Sequence, residues 1–253
     1  MTKTKKLPKI TQENYYTDID YLTNSMLGYL KLSPLHLHAY QKKVLTRSSQ
    51  ALDFGSMYDM LLLEPDEFDK TYSIMPEGMR RGTIVYKEWI KEFAKEKIVS
   101  NNEYRKAVNM KDALLSSKTV EPFISIGDKQ KIITWEDKGV PCKGKFDNYI
   151  PGECIVDLKT AKSCSKDYFA HAVKYVWDYD RQAAWYRNGE GNNLDFYWVV
   201  QEKESPYIST LFHASKDILL YGFEKYRELL IQYKLLFVDK PFDSNEFANF
   251  YTI

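Results

Sequence analysis

One stretch of the chain, residues 142–162, constrains the fold more than any other, because it places charged side chains within an apolar pair of strands. Residues 143–150 form the first predicted strand. The dipeptide Pro151-Gly152 then favours a turn. Residues 154–158 are a short apolar run of the kind that forms a buried central strand. The stretch therefore predicts a hairpin of two strands.

Three charged side chains converge in this hairpin. Asp157 and Lys159 are two residues apart, so both project from one face of the second strand. Asp147 lies on the partner strand, across the turn. Unpaired charge is costly at the end of a hydrophobic sheet. Two explanations follow from the residues alone: the groups neutralise one another as a structural ion pair, or they hold a cation and perform chemistry.

A magnesium ion would suit the second explanation. Mg²⁺ binds through one or two carboxylates together with other oxygen ligands. Asp147 and Asp157 supply the carboxylates, and the carbonyl of Leu158 is a candidate third ligand. A bound cation lowers the pKa of a water molecule and stabilises a pentacovalent phosphate, and Lys159 could orient or deprotonate that water. The pattern is typical of a metal-dependent phosphodiesterase, although Asp-x-Lys alone is weakly specific.

Helical patterns dominate the first half of the chain, and strands enter in the second. Helices are predicted for residues 23–32, 35–43, 51–63, 84–97 and 103–117, with a loop over 66–82. Further strands are predicted for residues 131–137, 194–200 and 207–213, the last two antiparallel, and further helices for 166–175, 180–187 and 214–238. This order predicts an α/β fold, in which a mixed sheet is flanked by helices and the N-terminal part is helical.

The domain organisation is expected to be simple. Residues 1–13 are polar and lysine-bearing, which is typical of a loose arm. Residues 14–253 are expected to form a single domain. Its helical part covers about residues 20–120 and its sheet-bearing core about residues 120–253.

Composition excludes several classes of protein. The formal net charge is +1, so a nucleic acid would have to bind a local basic patch. Three cysteines without a CxxC pair argue against a disulfide framework and against a self-sufficient zinc or iron–sulfur site. No apolar run approaches the ~18 residues of a membrane span. The N-terminus also lacks the apolar region of a signal peptide, so a cytoplasmic protein without a membrane partner is expected.

Two charged features outside the hairpin are candidates for function. Asp59 lies in the predicted helix 51–63, and its neighbours three and four residues away are glycine, serine and leucines, so its carboxylate needs a partner. Between Arg80 and Lys106, eight basic residues oppose four acidic ones. Much of that excess is the Glu/Lys lacing of a solvated helix, but Arg80 and Arg81 stand beside a glycine in a predicted loop and are candidates for phosphate contacts.

The charged hairpin resembles the PD-(D/E)xK nuclease motif: Asp147, nine residues, then Asp157-Leu158-Lys159. Two helical stretches are similar to parts of the RecB-type branch. Residues 55–65 resemble the helix that carries its upstream metal ligand, and Gln182-Ala-Ala-Trp-Tyr186 resembles its Gln-x-x-x-Tyr motif. The branch member that fits best is the group of RecE-like phage and prophage exonucleases, which residues 24–25, 33–34 and 142–147 resemble.

The resemblance, which covers about residues 20–190, implies a restriction-endonuclease-like core and a Mg²⁺-dependent exonuclease, with Mn²⁺ able to substitute. Such an enzyme resects linear double-stranded DNA from 5′ to 3′ and passes the 3′ overhangs to a single-strand annealing protein in phage-type recombination. It often assembles as a ring-shaped homo-oligomer, and it would act in the cytoplasm of the host cell.

The resemblance also assigns residues to roles. Asp147 and Asp157 would bind the metal, Lys159 would be the catalytic lysine, and Gln182 and Tyr186 would lie near the scissile phosphate. DNA contacts are expected from basic side chains, namely Arg80, Arg81, Lys143 and Lys145.

One departure concerns Asp59, which stands where many relatives carry a histidine. A carboxylate can still bind Mg²⁺, since it is a hard oxygen donor, so Asp59 is expected to be a metal ligand. Two alternatives stay open. One is another PD-(D/E)xK enzyme, either an endonuclease or a CRISPR-associated end-processing nuclease, although the latter usually carries a four-cysteine iron–sulfur cluster. The other is a non-enzymatic DNA-binding protein that retains the fold.

Overall fold

This computed structural model describes residues 7–45, 50–191 and 193–244, the side chains of residues 50 and 51 excepted. The first half of the chain is mainly helical. Its elements are α1 (Asn24–Leu32), α2 (Pro34–Gln41), α3 (Gln50–Leu63), α4 (Pro65–Thr71), β1 (Tyr72–Ile74), α5 (Ile84–Phe93), β2 (Lys97–Val99), α6 (Asn101–Leu115) and α7 (Pro122–Ser125). Strands β1 and β2 pair in parallel as a small separate sheet.

The first two helices begin and end where the sequence indicates. Thr23 caps α1, since its side chain accepts a hydrogen bond from the amide of Met26. Ser33 adopts an extended backbone that ends α1, and its side chain caps α2 by accepting from the amide of His36. Pro34 occupies the first turn of α2, where a missing N–H costs nothing.

The predicted loop over residues 66–82 is wrong in its first part, and the predicted helix 84–97 is too long. Helix α4 forms because Pro65 starts it and Phe68 anchors it in the core with 1% of its surface exposed. Helix α5 ends at Phe93. The chain then turns into β2, and the amide of Lys95 donates to Ser73 Oγ on β1. Pairing between the two short strands therefore overrides the helical pattern.

A five-stranded mixed sheet forms the second half of the chain with its flanking helices. Its strands, in spatial order, are β3 (Asp128–Asp137), β4 (Val140–Ile150), β5 (Cys154–Ala161), β6 (Asp195–Glu202) and β7 (Ser209–His213). Strands β5 and β6 pair in parallel, and the other neighbours pair antiparallel. The predicted α/β class with a mixed sheet is confirmed, as is the antiparallel pair at its C-terminal edge.

Within the described residues, three helices complete the second half. They are α8 (Lys166–His171), which continues as a π-helical turn over Ala172–Val176, α9 (Tyr179–Gly189), and α10 (Lys216–Tyr233), which continues as a π-helical turn over Lys234–Val238. Within the described part of the chain, no helix has the length and apolar content needed to cross a bilayer.

The apolar core lies on both faces of the sheet, as the two-residue period of a strand requires. On one face, Val156 and Leu158 of β5 pack with residues of α3, α4 and α6. On the other face, Ile155 packs with residues of α8 and α9. A third cluster joins α1 and α2 to α9 and α10. Asp157, in step with Ile155, therefore points towards the face of α8 and α9, while helix α3 contacts β4 and β5 from the opposite side.

Candidate active site

The charged residues of the hairpin lie where strands β4 and β5 separate. Their antiparallel pairing runs from Ile150 opposite Cys154 to Asn148 opposite Val156 and stops there. The next opposed residues would be Asp147 and Asp157. On its other side, β4 is paired with β3, but that register also skips Asp147. Asp147 thus sits at a position where the sheet opens on both sides.

The carboxylate of Asp147 fills part of this gap. Its Oδ2 atom accepts a hydrogen bond of 2.7 Å from the amide of Leu158 on β5. This hydrogen bond replaces one that the two backbones would make if the strands stayed paired. Asp147 is partly exposed, whereas Asp157 on the facing strand is buried.

Asp157 and Lys159 form a close ion pair on β5. The side chain of Asp157 is 3% exposed and that of Lys159 is 17% exposed. Although Asp157 Oδ2 contacts the ammonium, it receives no well-aligned hydrogen bond from the described residues. The ammonium also lies 4.9 Å from the ring centre of Tyr179, at the start of α9, a distance typical of a cation–π contact. The sequence-based prediction that both charges share one face of the strand is confirmed.

Burial and mutual repulsion perturb the carboxylates of the site. Burial raises the pKa of Asp157 to about 7, with a further rise from Asp147, although Lys159 opposes the shift. Burial also raises the pKa of Asp147, against the opposing charge of Lys159. For Asp59 on α3, burial and then the charge of Asp147 hold the pKa well above its ordinary range. The structure therefore brings Asp59 into the electrostatic environment of the two hairpin carboxylates.

The pKa of Lys159 is also raised, but for a different reason. Burial by itself would lower the pKa of its ammonium, but the facing carboxylates of Asp157 and Asp147 outweigh burial and raise it. A cluster of three carboxylates opposed by Lys159 and Lys145 keeps an excess of one negative charge when all are ionised. Such a cluster favours a further cation.

The donor chemistry suits a hard divalent ion, because carboxylate oxygens are the ligands that Mg²⁺ and Mn²⁺ prefer. The geometry is not that of a finished metal site. Among the described residues, no three carboxylate, imidazole or thiolate groups converge closely enough to hold a metal ion. Instead Asp157 is turned onto Lys159. The assignments of Asp59, Asp147, Asp157 and Leu158 as metal ligands all stay predictions.

Helix α9 carries the Gln-x-x-x-Tyr residues to the same region. Gln182 Nε2 donates to the hydroxyl of Tyr186 at 3.4 Å. The Tyr186 ring packs edge-on against Phe146 of β4. Burial raises the pKa of Tyr186 well above 10, and the charge of Asp157 adds to the rise. Gly144 permits this packing, because a Cβ atom there would lie 3.0 Å from the Tyr186 ring.

The four basic residues predicted to contact DNA separate into three environments. Lys143 is 1% exposed, and its ammonium donates to Tyr15 O at 2.7 Å and to Asp18 Oδ1 at 3.2 Å. The prediction of a DNA contact is wrong for Lys143, because the ammonium is enclosed by the N-terminal segment. Lys145 lies nearer the carboxylates, since its charge opposes the rise in pKa that burial causes at Asp147.

Arg80 and Arg81 lie elsewhere in the fold. Both are exposed in the loop between β1 and α5, and Arg81 Nη2 donates to the carbonyl of Ile98 at 3.3 Å. The role of Arg80 and Arg81 in DNA binding stays a prediction.

The N-terminal segment is part of the site, which the sequence did not indicate. Of the predicted loose arm 1–13, residues 1–6 lie outside the described residues. For residues 7–13 the prediction is wrong: Ile10 is 8% exposed, and Gln12 Nε2 donates to the carbonyl of Gln130 at 2.9 Å. The buried ring of Tyr15 lies beside Lys145, at 5.7 Å. The sequence did not predict this role, because the segment is polar and its contact partners lie more than 100 residues away in the chain.

Gln130 of β3 is a second residue that the sequence did not single out. It lies opposite Asp147 in the β3–β4 register, and its side chain opposes the rise in the pKa of that carboxylate that burial causes. Tyr179, against Lys159, is a third. A glutamine in a strand and a tyrosine at a helix start carry no pattern that identifies them, so only the fold reveals their neighbours.

Comparison with known proteins identifies the family and the fold of the chain. Residues 24–240 match the family described as PDDEXK-like domain of unknown function (DUF3799). The crystal structure of a protein from Eubacterium rectale, described as a "putative exonuclease", shares the fold with a TM-score of 0.64 over 88% of this chain and 86% of that one, at 23% sequence identity. No curated protein matches the chain significantly.

These matches confirm the PD-(D/E)xK superfamily and leave the RecE-like branch as a prediction. The family model covers the strand gap, the ion pair and helix α9 alike. The chain therefore belongs to the PDDEXK-like DUF3799 family, and its fold is of the PD-(D/E)xK nuclease type.

Proposed function

We propose that the protein is a metal-dependent nuclease that degrades linear double-stranded DNA from its ends. The observation that supports this function most directly is the gap between β4 and β5, where Asp147, Asp157 and Lys159 meet. A purely structural ion pair would not need the third carboxylate of Asp59, whose pKa burial and Asp147 raise well above its ordinary value. Accumulated negative charge at an opening in a sheet supports cation binding.

Asp147 and Asp157 would hold the cation, together with Asp59 and the carbonyl of Leu158. Mg²⁺ is the proposed ion, and Mn²⁺ would substitute for it. When bound, the ion would polarise the phosphate and lower the pKa of a water molecule. Since Asp157 now contacts Lys159, its carboxylate would have to turn from the ammonium towards the ion.

Lys159 would then face the phosphate. Its ammonium offsets the negative charge that develops on the phosphate oxygens in the transition state, and the ring of Tyr179 limits where it can move. Gln182 and Tyr186 would position the scissile phosphate from α9. Lys145, Arg80 and Arg81 would contact other phosphates of the DNA backbone, which fixes register without reading sequence.

Beyond the chemistry, we propose 5′ to 3′ polarity and a product with 3′ single-stranded overhangs. A single-strand annealing protein would receive this product in recombination of the phage type. A ring-shaped homo-oligomer around the DNA would give processive digestion, in the cytoplasm of the cell that contains it. These features derive from the resemblance of the motifs to RecE-like enzymes.

Digestion of linear duplex labelled at its 5′ or 3′ end tests the proposal, with covalently closed plasmid as a second substrate. The expected result is Mg²⁺-dependent release of mononucleotides from linear DNA, with the 5′ label lost first and the plasmid intact. Cleavage of the closed plasmid would instead identify an endonuclease. Absence of degradation of either substrate, with DNA binding retained, would identify a DNA-binding protein.

Lys159→Ala tests the site itself. Loss of one preorganised charge at the transition state typically lowers the rate by about 10²–10³-fold, while DNA binding measured with Ca²⁺ should change little. Lys118→Ala removes an exposed lysine between α6 and α7 and serves as the matched control, with an unchanged rate. Undiminished digestion by the Lys159 variant would contradict the assignment.

A further inference from the structure

Strand β3 is interrupted at one residue, Gln130. Lys129 pairs with Asn148 and Lys131 pairs with Phe146, so the register passes over Gln130 on one strand and Asp147 on the other. The backbone of Gln130 has a φ of +53°. Residues other than glycine rarely adopt this left-handed conformation, because the Cβ atom crowds the backbone. The strand therefore contains a strained kink directly opposite a candidate metal ligand.

The conformation is unusual even within this protein. Among the described residues, the other non-glycine positions with positive φ lie in turns, in loops or at a helix cap, namely Lys43, Lys138, Asp178 and Tyr207. Gln130 has this conformation inside a strand. Glutamine has no local hydrogen bond that favours it, unlike asparagine or aspartate. Local sequence preference does not explain the kink.

The surroundings of Gln130 maintain the kink from two sides. The residue is 6% exposed, and its carbonyl accepts a hydrogen bond of 2.9 Å from Gln12 in the N-terminal segment. Gln130 lies directly opposite Asp147 in the β3–β4 register, and its side-chain amide lowers the pKa of that carboxylate against the effect of burial. A strained residue that its surroundings hold in place is characteristic of functional sites, and kinked strands there often redirect a side chain.

We propose that Gln130 is a positioning residue, whose kinked backbone presents its amide to Asp147 and fixes the orientation of that carboxylate for metal binding. The amide of Leu158 already binds Oδ2 of Asp147. A hydrogen bond from the Gln130 amide to the same carboxylate would restrict its rotation. A carboxamide carries no charge, so it can orient the carboxylate without neutralising it. A lysine ammonium in the same place would neutralise the carboxylate. This inference rests on the proposed metal-dependent function.

The variant Gln130→Gly separates the positioning role from a structural one. Glycine adopts positive φ without strain, so the folded protein should melt at the same or a higher temperature. The variant nevertheless loses the amide that orients Asp147. Removing such a partner of a metal ligand typically weakens metal affinity or activity by about 10–100-fold. Stability and metal binding are thus expected to change independently.

The experiment measures three quantities on the full chain: the melting temperature, Mn²⁺ affinity from the electron paramagnetic resonance of free Mn²⁺, and steady-state DNA cleavage. Gln130→Gly should bind Mn²⁺ about 10–100-fold more weakly and show a lower kcat with an unchanged KM for DNA. Lys138→Gly is the matched control. It removes the same kind of strain in the β3–β4 turn and should leave Mn²⁺ affinity and kcat unchanged.

The outcomes distinguish this inference from the proposed function. If the wild-type protein binds Mn²⁺ but cleaves no DNA, and Gln130→Gly weakens Mn²⁺ binding, the nuclease proposal fails and the positioning role stands. Wild-type Mn²⁺ affinity and kcat in Gln130→Gly would overturn the positioning role. A lowered melting temperature with unchanged Mn²⁺ affinity would also overturn it, because that result would show a structural role. Absence of Mn²⁺ binding by the wild-type protein would overturn it as well.

Discussion

Replacing Lys143 with methionine should destabilise the fold strongly. The ammonium of Lys143 is buried against Asp18, whose side chain is only 8% exposed, and it also satisfies the carbonyls of Tyr15 and Asp18. Methionine fills a similar volume but leaves the carboxylate of Asp18 without its counter-charge. Breaking a buried pair in this way typically costs about 3–5 kcal/mol. For a chain of this size, that lowers the melting temperature by roughly 6–20 °C.

Urea denaturation of a double-mutant cycle checks this magnitude. In Asp18→Asn the lysine keeps both carbonyl partners and an amide oxygen, so the expected loss is smaller, about 1–2 kcal/mol. The double variant no longer contains an isolated buried charge. It should therefore be more stable than the sum of the single losses predicts, by about 1 kcal/mol or more.

A second measurement separates burial from DNA contact. The dependence of DNA affinity on salt counts the phosphates that a protein neutralises. Lys143→Met should not change the salt slope, whereas Lys145→Met should reduce it by about 1. Two results together would refute the burial argument. The free energy of unfolding of Lys143→Met would lie within about 0.5 kcal/mol of the wild-type value, as it usually does for surface changes, and the salt slope would fall. The DNA-binding prediction for Lys143 would then be restored.

Two further predictions concern the helices behind the site. Gly222→Ala should lower the free energy of unfolding by about 1–3 kcal/mol or more, measured by urea denaturation, because a Cβ atom would lie 2.0 Å from the carbonyl oxygen of Asp180 in α9; equal stability would contradict the close helix contact. The second prediction is that Asp178 contributes to the loss of folding stability at acidic pH. Burial opposes ionisation, but hydrogen bonds from Lys31 and Lys225 lower its pKa, so its contribution to stability is present above the unfolded pKa and is lost as pH falls through the folded pKa. Melting curves from pH 6 to pH 2 should therefore show a weaker pH dependence for Asp178→Asn, and parallel curves would exclude this linkage.

The hairpin could be predicted from sequence because its signals are local. Pro151-Gly152 marks the turn, and a two-residue period places Asp157 and Lys159 on one face, where the structure pairs them. The same period places Lys143 and Lys145 on one face and cannot tell them apart. Their environments differ because the N-terminal segment, over 120 residues away, encloses Lys143.

Residues that act through tertiary contacts were not predictable for the same reason. Gln130 is identified by its kink and by the carboxylate opposite it, neither of which leaves a trace in composition or periodicity. Helix α4 was missed because its stability comes from burying Phe68 rather than from a repeating apolar face. The candidate ligand Asp59 lies between these cases. Its apolar neighbours and the resemblance of its helix suggested it, and in the structure burial and then the charge of Asp147 raise its pKa.

The contact between the N-terminal segment and the sheet has a consequence for synthesis. Lys143 binds the carbonyl of Tyr15 across 128 positions of sequence. At translation rates of about 5–20 residues per second, roughly 6–26 s pass between the synthesis of these two residues. The N-terminal segment is therefore synthesised well before strand β4, whose Lys143 it encloses, and β6, the parallel partner of β5, follows later still. Asp59 likewise precedes Asp147 and Asp157 by about ninety residues, so the three carboxylates can meet only after β5 has been synthesised.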